Sequence, residues 1–201
     1  EIGEYAFYNC ADVKKVVISS AVERIDKSAF ANCAALEEIT LPSTLKYLGD
    51  YAFEDCSSLT KIELPDGLEE VGVEAFSKTS IEKLTVPGSM KVIGTNAFGD
   101  MMNLHEIHIE EGVEEIGERA FQSAGLRDTY DAPEHWAFMD KEKAARYADH
   151  IIDPAIHTEI PWWINIYLPS TIKKIGHSIL ADCRVDGIYM ESFDSVESLP
   201  E

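Results

Sequence analysis

Basic residues are scarce in this 201-residue chain. It carries 17 Lys and Arg against 37 Asp and Glu, a formal net charge of −20. A surface of that sign repels phosphate backbones and anionic headgroups, which argues against nucleic acid or a lipid surface as partner. Long apolar runs are missing as well, and none approaches the length of a membrane span. The six histidines, His105, His108, His135, His150, His157 and His177, form no His-Glu-x-x-His or other ligand spacing. His105 and His108 stand three apart in an expected strand and so point to opposite faces rather than to one metal. Gly125 sits in no phosphate-binding loop, and no Gly-x-Ser-x-Gly elbow occurs. Ser, His and Asp are present without a spacing that argues for a triad. These gaps weigh against an enzyme, and no cofactor or metal is expected.

What the chain has is repetition. Ala-Phe recurs at Ala6-Phe7, Ala29-Phe30, Ala52-Phe53, Ala75-Phe76, Ala97-Phe98 and Ala120-Phe121, with phenylalanine spacings of 23, 23, 23, 22 and 23. The series resumes in degenerate form at Ile179-Leu180. A second column keeps step: Ile18, Leu41, Leu64, Val86, Ile109, Leu168 and Met190. Self-similarity at a period in the low twenties marks a solenoid.

The coil from Leu59 shows why. Leu59, Ile62 and Leu64 are apolar while Thr60, Lys61 and Glu63 are polar, so the segment reads as a short strand with one buried face. Pro65 ends it, having no N–H for a ladder. Leu68 and Val71 turn inward, and Gly72 permits a bend that a Cβ would resist. Ala75 and Phe76 return the chain through a short helical or 3₁₀ turn. One coil cannot bury these side chains alone; stacking lays each over its counterpart and makes a continuous core. Strands are expected at 13–18, 36–41, 59–64, 81–86, 104–109, 126–131, 163–168 and 185–190, with all six phenylalanines in one buried column. The 126–131 strand is the weakest, because Thr129 and Asp131 stand where other coils have apolar residues.

The pattern Leu59-x-x-Ile62-x-Leu64-Pro65, then Val71-Gly72-x-x-Ala75-Phe76, with Cys56 three residues after Phe53, resembles the leucine-rich repeat. It is most similar to the BspA-like subclass of bacterial surface proteins and some parasitic protists. The resemblance implies a right-handed, curved superhelix of mostly short parallel β-strands with turn or 3₁₀ segments. It also implies a cell-surface or secreted setting and a protein or glycan ligand on the concave face.

The solenoid is expected over 1–131 and again over 162–201, which includes a C-terminal tail. Between them, 132–161 reads as a helical insertion within one repeat, the whole forming a single structural domain. Asp131-Ala132-Pro133-Glu134 is a helix start, and Asp153-Pro154 a stop. Trp136, Met139, Ala144, Tyr147, Ala148 and Ile151 fall on one side of that helix. It either packs this stripe on the solenoid or serves as a binding protrusion presenting Phe138 and Trp162. The chain opens in mid-coil at Ile2-Gly3, the phase of Leu48-Gly49, and is expected to be a piece of a longer protein.

Cys10, Cys33 and Cys56 share a column with Cys183. Adjacent coils would put them within disulfide reach. Thr79, Met101 and Ala124 fill the same column, however, which favours buried free thiols over a staple or a metal site. Glu110, Glu111, Glu114, Glu115 and Glu118 crowd one turn without the alternating ligands of a calcium loop, and a solvated acidic face is expected. The outward column of the strands reads Val17, Thr40, Glu63, Thr85, His108, Tyr130, Tyr167 and Tyr189. His108, Tyr130, Tyr167 and Tyr189 are therefore the candidate ligand-contact residues, bordered by the parallel column Lys15, Glu38, Lys61, Lys83, Glu106, Asp128, Asn165 and Gly187. The function expected is a non-catalytic binding module for adhesion or recognition; the alternative is a spacer holding other domains off a surface.

Overall fold

Alternating side chains and coil-to-coil hydrogen bonds build two rows of short parallel strands. The computed structural model describes residues 1–125, 164–181, 183 and 185–189. In chain order the first strands are β1 (Lys15–Val17), β2 (Arg24–Ile25), β3 (Glu38–Thr40), β4 (Tyr47–Leu48), β5 (Glu70–Val71) and β6 (Lys83–Val86). There follow β7 (Val92–Ile93), β8 (Glu106–Ile109), β9 (Glu115–Ile116), β10 (Ile164–Tyr167), β11 (Lys174–Ile175) and β12 (Val185–Tyr189). The main row comprises the sheets β1-β3 and β6-β8-β10-β12. The second row, of two-residue strands, comprises β2-β4-β5 and β7-β9-β11.

The main row follows the alternating pattern, but the strand expected at 59–64 does not form. Ile62 still turns inward at 9 % exposure, yet the segment joins no ladder. The chain is one residue shorter between Phe76 and Ile81 than between Phe53 and Leu59, which puts this backbone out of step with the next. The second row was not anticipated. It falls where Val71 and its counterparts point inward, and each of its strands buries one residue, as Ile25, Leu48 and Ile116 show.

Between the rows the core is a column structure. Phe30, Phe53, Phe76, Phe98 and Phe121 are all at most 2 % exposed. Their rings stack with Phe7 at centroid separations of 5.0–6.1 Å and interplanar angles of 5–10°. Phe7 departs from the expected burial. It is 45 % exposed, because it covers Phe30 on one face and, among the described residues, no further ring covers its other face. Losing a fully buried ring of this kind costs about 3–5 kcal/mol.

The Ala-Phe segment is a turn rather than a helix, and the described residues contain no helix of either kind. Left-handed residues bracket it: Tyr51 (φ 57°) and Asp55 (φ 57°) flank Ala52-Phe53, as Ser28 and Asn32 flank Ala29-Phe30. A left-handed residue every four positions stops an i→i−4 ladder from propagating. The amides bond to the next coil instead, Phe30 N–H to Ala52 at 2.9 Å and Phe53 N–H to Ala75 at 2.8 Å. No disulfide joins the four cysteines. Cys33 and Cys56 each donate to the carbonyl of the phenylalanine one coil earlier, Phe7 and Phe30, at 3.2 Å.

The main row closes directly across the inserted stretch. β10 pairs directly with β8, Ile166 opposite Ile107 and Tyr167 opposite His108. That offset is 59 residues where the repeat has 23, so 59 − 23 = 36 additional residues are accommodated between two adjacent strands. The strand expected at 126–131, the helix expected over 132–161 and the tail beyond 189 lie outside the described residues.

Candidate functional site

The main row turns its apolar residues inward and presents the intervening ones to solvent. In register on this face lie Thr85 of β6, His108 of β8, Tyr167 of β10 and Tyr189 of β12. Parallel strands about 4.8 Å apart set side chains at the same height in parallel, which is the geometry of a ring stack. The His108 and Tyr167 rings lie 4.2 Å apart at 4°, and the Tyr167 and Tyr189 rings 4.8 Å apart at 15°. Tyr167 is 36 % and Tyr189 47 % exposed. Tyr167 is covered on both ring faces, so it offers solvent its edge and hydroxyl.

The bordering column is polar and connected. Glu106 accepts a hydrogen bond from Lys83 Nζ at 2.8 Å and lies 3.2 Å from His108 Nε2 through its other oxygen. The Lys83 bond, reinforced by His108, holds the Glu106 carboxyl below its usual range. Asn165 stands beside Glu106 and Gly187 in register, and its buried Oδ1 has no hydrogen-bond partner among the described residues. The two outward columns of the described main-row strands contain two lysines (Lys15, Lys83) and two glutamates (Glu38, Glu106). These columns are thus neutral, 2 − 2 = 0, on a chain of −20.

Of the residues named from sequence, the structure brings together His108, Tyr167 and Tyr189. The place beside His108 that the sequence reading gave to Tyr130 is held by Tyr167; Tyr130, Phe138 and Trp162 lie outside the described residues. Ile164, Ile166 and Leu168 turn inward and are buried, as an apolar, alternating strand requires.

The glutamate-rich turn has a different role from a bare solvated face. Glu111 accepts from the Ser170 N–H at 2.8 Å and from its Oγ at 3.1 Å. Glu114 meets Lys173 at 2.7 Å, and Glu115 meets Lys174 at 3.3 Å. The turn clamps the coil that follows the insertion onto the coil before it. Ser170 holds the Glu111 carboxyl below its ordinary value, and Lys173 does the same for Glu114. Among the described residues no group of three or more His, Cys, Asp or Glu could hold a metal. An open cleft of about 400 Å³ beside the second row is lined by Arg24, Lys46, Tyr47, Glu69 and Glu70 among others. Arg24 lies 3.7 Å over the Tyr47 ring and pairs with Asp26, and Lys46 pairs with Glu69. It is not the enclosed apolar cavity that small-molecule sites use.

The family model for the BspA type leucine rich repeat region matches residues 1–129, in six copies. The chain belongs to that family. A T. pallidum leucine-rich-repeat protein of known structure is 33 % identical, with a TM-score of 0.57, over 60 % of this chain and 56 % of its own. A leucine-rich-repeat protein from Bacteroides ovatus is 21 % identical, with a TM-score of 0.52, over 90 % of this chain and 56 % of its own. The pneumococcal vaccine antigen PcpA is 21 % identical, with a TM-score of 0.53, over 87 % of this chain and 38 % of its own. The last two show the shared fold alone. The BspA-type chain thus spans little more than half of the first two solved relatives. No curated protein matches its sequence.

Proposed function

We propose that this BspA-type chain is a non-catalytic binding module that meets a protein or glycan through its strand face, in a cell-surface or secreted protein. The observation that carries the reading is the in-register stack of His108, Tyr167 and Tyr189, exposed on a face whose outward columns are neutral while the chain as a whole is acidic. Interface cores are depleted of charge and enriched in aromatics, and tyrosine combines large area with a hydrogen-bonding tip. The covered faces of Tyr167 favour edge and hydroxyl contacts of the kind protein hot spots make. A sugar ring would have to lie on an end of the stack. The setting rests on the resemblance to bacterial surface proteins.

The test is a Tyr167→Ser, Tyr189→Ser double variant, checked by circular dichroism and assayed beside the unaltered protein on host-matrix proteins and a glycan array. The expected result is a ligand bound by the unaltered protein and lost in the folded variant. Equal binding by both would remove the stack from the site, and no binding in either panel would favour the spacer reading.

A further inference from the structure

Between the coil that starts at Leu59 and the coil that starts near Glu82, coil-to-coil bonding departs from the regular pattern on three sides, although Glu74 N–H to Asn96 at 2.9 Å and Lys78 N–H to Asp100 at 3.0 Å still cross it. On the strand face no strand forms at 59–64, so among the described residues β6 pairs only with β8 and β3 only with β1, and the row is interrupted on both sides of this segment. Toward β6 the backbone contacts are Ser80 N–H to Leu59 at 2.9 Å and Glu82 N–H to Thr60 at 3.3 Å, so the place of the break is set by the other two sides.

In the second row, β5 and β7 belong to separate sheets. At the other junctions the corresponding N–H donates one coil back, Asp26 to Ile2 at 2.9 Å and Gly49 to Ile25, Gly72 to Leu48, Gly117 to Ile93 and Gly176 to Ile116 at 2.6–2.8 Å. Gly94 makes no such bond to Val71. A Cβ on Gly94 would find its nearest neighbour, Val71 O, at 3.7 Å, against 2.4–2.8 Å at those four glycines.

At the Ala-Phe turn the register slips by one. Tyr51 donates to Val73, three before Phe76, and Asn96 to Glu118, three before Phe121; Glu74 donates to Asn96, two before Phe98. Phe76 lacks the bond that Phe53 makes to Ala75 and Phe98 makes to Ala120. Its ring lies 6.1 Å from Phe98, the widest step in the stack. The sequence cause is visible: Phe76 to Phe98 is the one spacing of 22. Side chains bridge part of the gap, Asn96 Nδ2 to Glu74 at 2.6 Å and Ser89 Oγ to Leu68.

In a solenoid, stability is a sum of coil terms and nearest-neighbour interfaces, so the weakest interface decides where the chain divides. We propose that this junction is a built-in articulation, separating the coils through Phe76 from those that follow as two cooperative units. The His108–Tyr167–Tyr189 stack lies wholly in the second unit. It can therefore stay assembled while the first unit opens.

Native-state hydrogen exchange of the full chain in graded sub-denaturing urea tests this. Peptides spanning Phe30 and Phe53 should open as one class, and those spanning Phe98 and Phe121 as another, with opening constants differing by at least about tenfold. Inserting one Ser between Ser80 and Ile81 restores the 23-residue spacing and should bring the two classes within about threefold. A single class in the unaltered protein, or a boundary at another coil, would overturn the proposal whether or not the insertion variant folds. Neither result bears on which residues touch ligand.

Discussion

A Cβ on Gly72 would stand 2.4 Å from the backbone nitrogen of Asp50, one coil away. The glycine column is thus a column of close backbone approach. Gly72 is not among the positive-φ residues, so the bend is one any residue could make. The consequence differs from coil to coil. Gly72→Ala forces backbone apart and should cost about 1–3 kcal/mol, as overpacking does. Gly94→Ala, where the nearest atom is 3.7 Å away, should stay within about 0.5 kcal/mol of the unaltered protein. Urea unfolding of both variants decides it; equal shifts would contradict the close-approach argument.

The core columns were legible because a buried position repeats its chemistry every coil: Phe30, Phe53, Phe76, Phe98 and Phe121, or Ile25, Leu48, Val71, Ile93 and Ile116. What periodicity conveys poorly is backbone detail. Tyr51, Glu74, Asn96 and Arg119 share a left-handed backbone and nothing in side-chain type, so the turn they begin reads from sequence as helical. The stack was readable as a column, but its neighbours were not. A column assumes one coil per period, and the 36 additional residues between Phe121 and Tyr167 break that assumption, setting Tyr167 rather than Tyr130 against His108.

The clamp after the insertion should respond to acid. Glu111 and Glu114 have folded-state values below those of free glutamate, set first by Ser170 and by Lys173 respectively. A depressed carboxyl value gives stability that is fully present above the unfolded value, about 4.3, and lost as pH falls through the folded one. Glu74 has the opposite sign, since burial first, then Asp100 and Glu54, raise its value. The protection of the Lys173, Lys174 and Gly176 amides, which bond across this junction, measured against the exchange rate of an unstructured chain at the same pH, should therefore fall between about pH 5 and about pH 3. A Glu111→Gln, Glu114→Gln double variant should exchange faster at neutral pH and show a flatter acid response. Identical profiles for the two proteins would mean that these carboxylates do not hold the coil.

Cys56 predicts a response at the alkaline end. Its side chain is fully buried, and burial pushes its thiol up to about 12, with Cys33 adding to the rise. Nothing in the column demands sulfur: Ala124 fills the corresponding place under Phe121 and is equally buried. The sign follows from linkage. Above the unfolded value, about 8.5, an unfolded chain can release this proton while the folded chain keeps it until about 12, so stability falls as pH rises through that window. The variant Cys56→Ala removes the ionisable group and should be less stable near neutral pH, because a small cavity is left. Its urea midpoint should then fall less than that of the unaltered protein between about pH 7 and about pH 10. Other groups titrate in the same range, but they are common to both proteins and drop out of the comparison. A variant that loses stability with pH as steeply as the unaltered protein would show that Cys56 ionises as readily folded as unfolded, against its burial in the column.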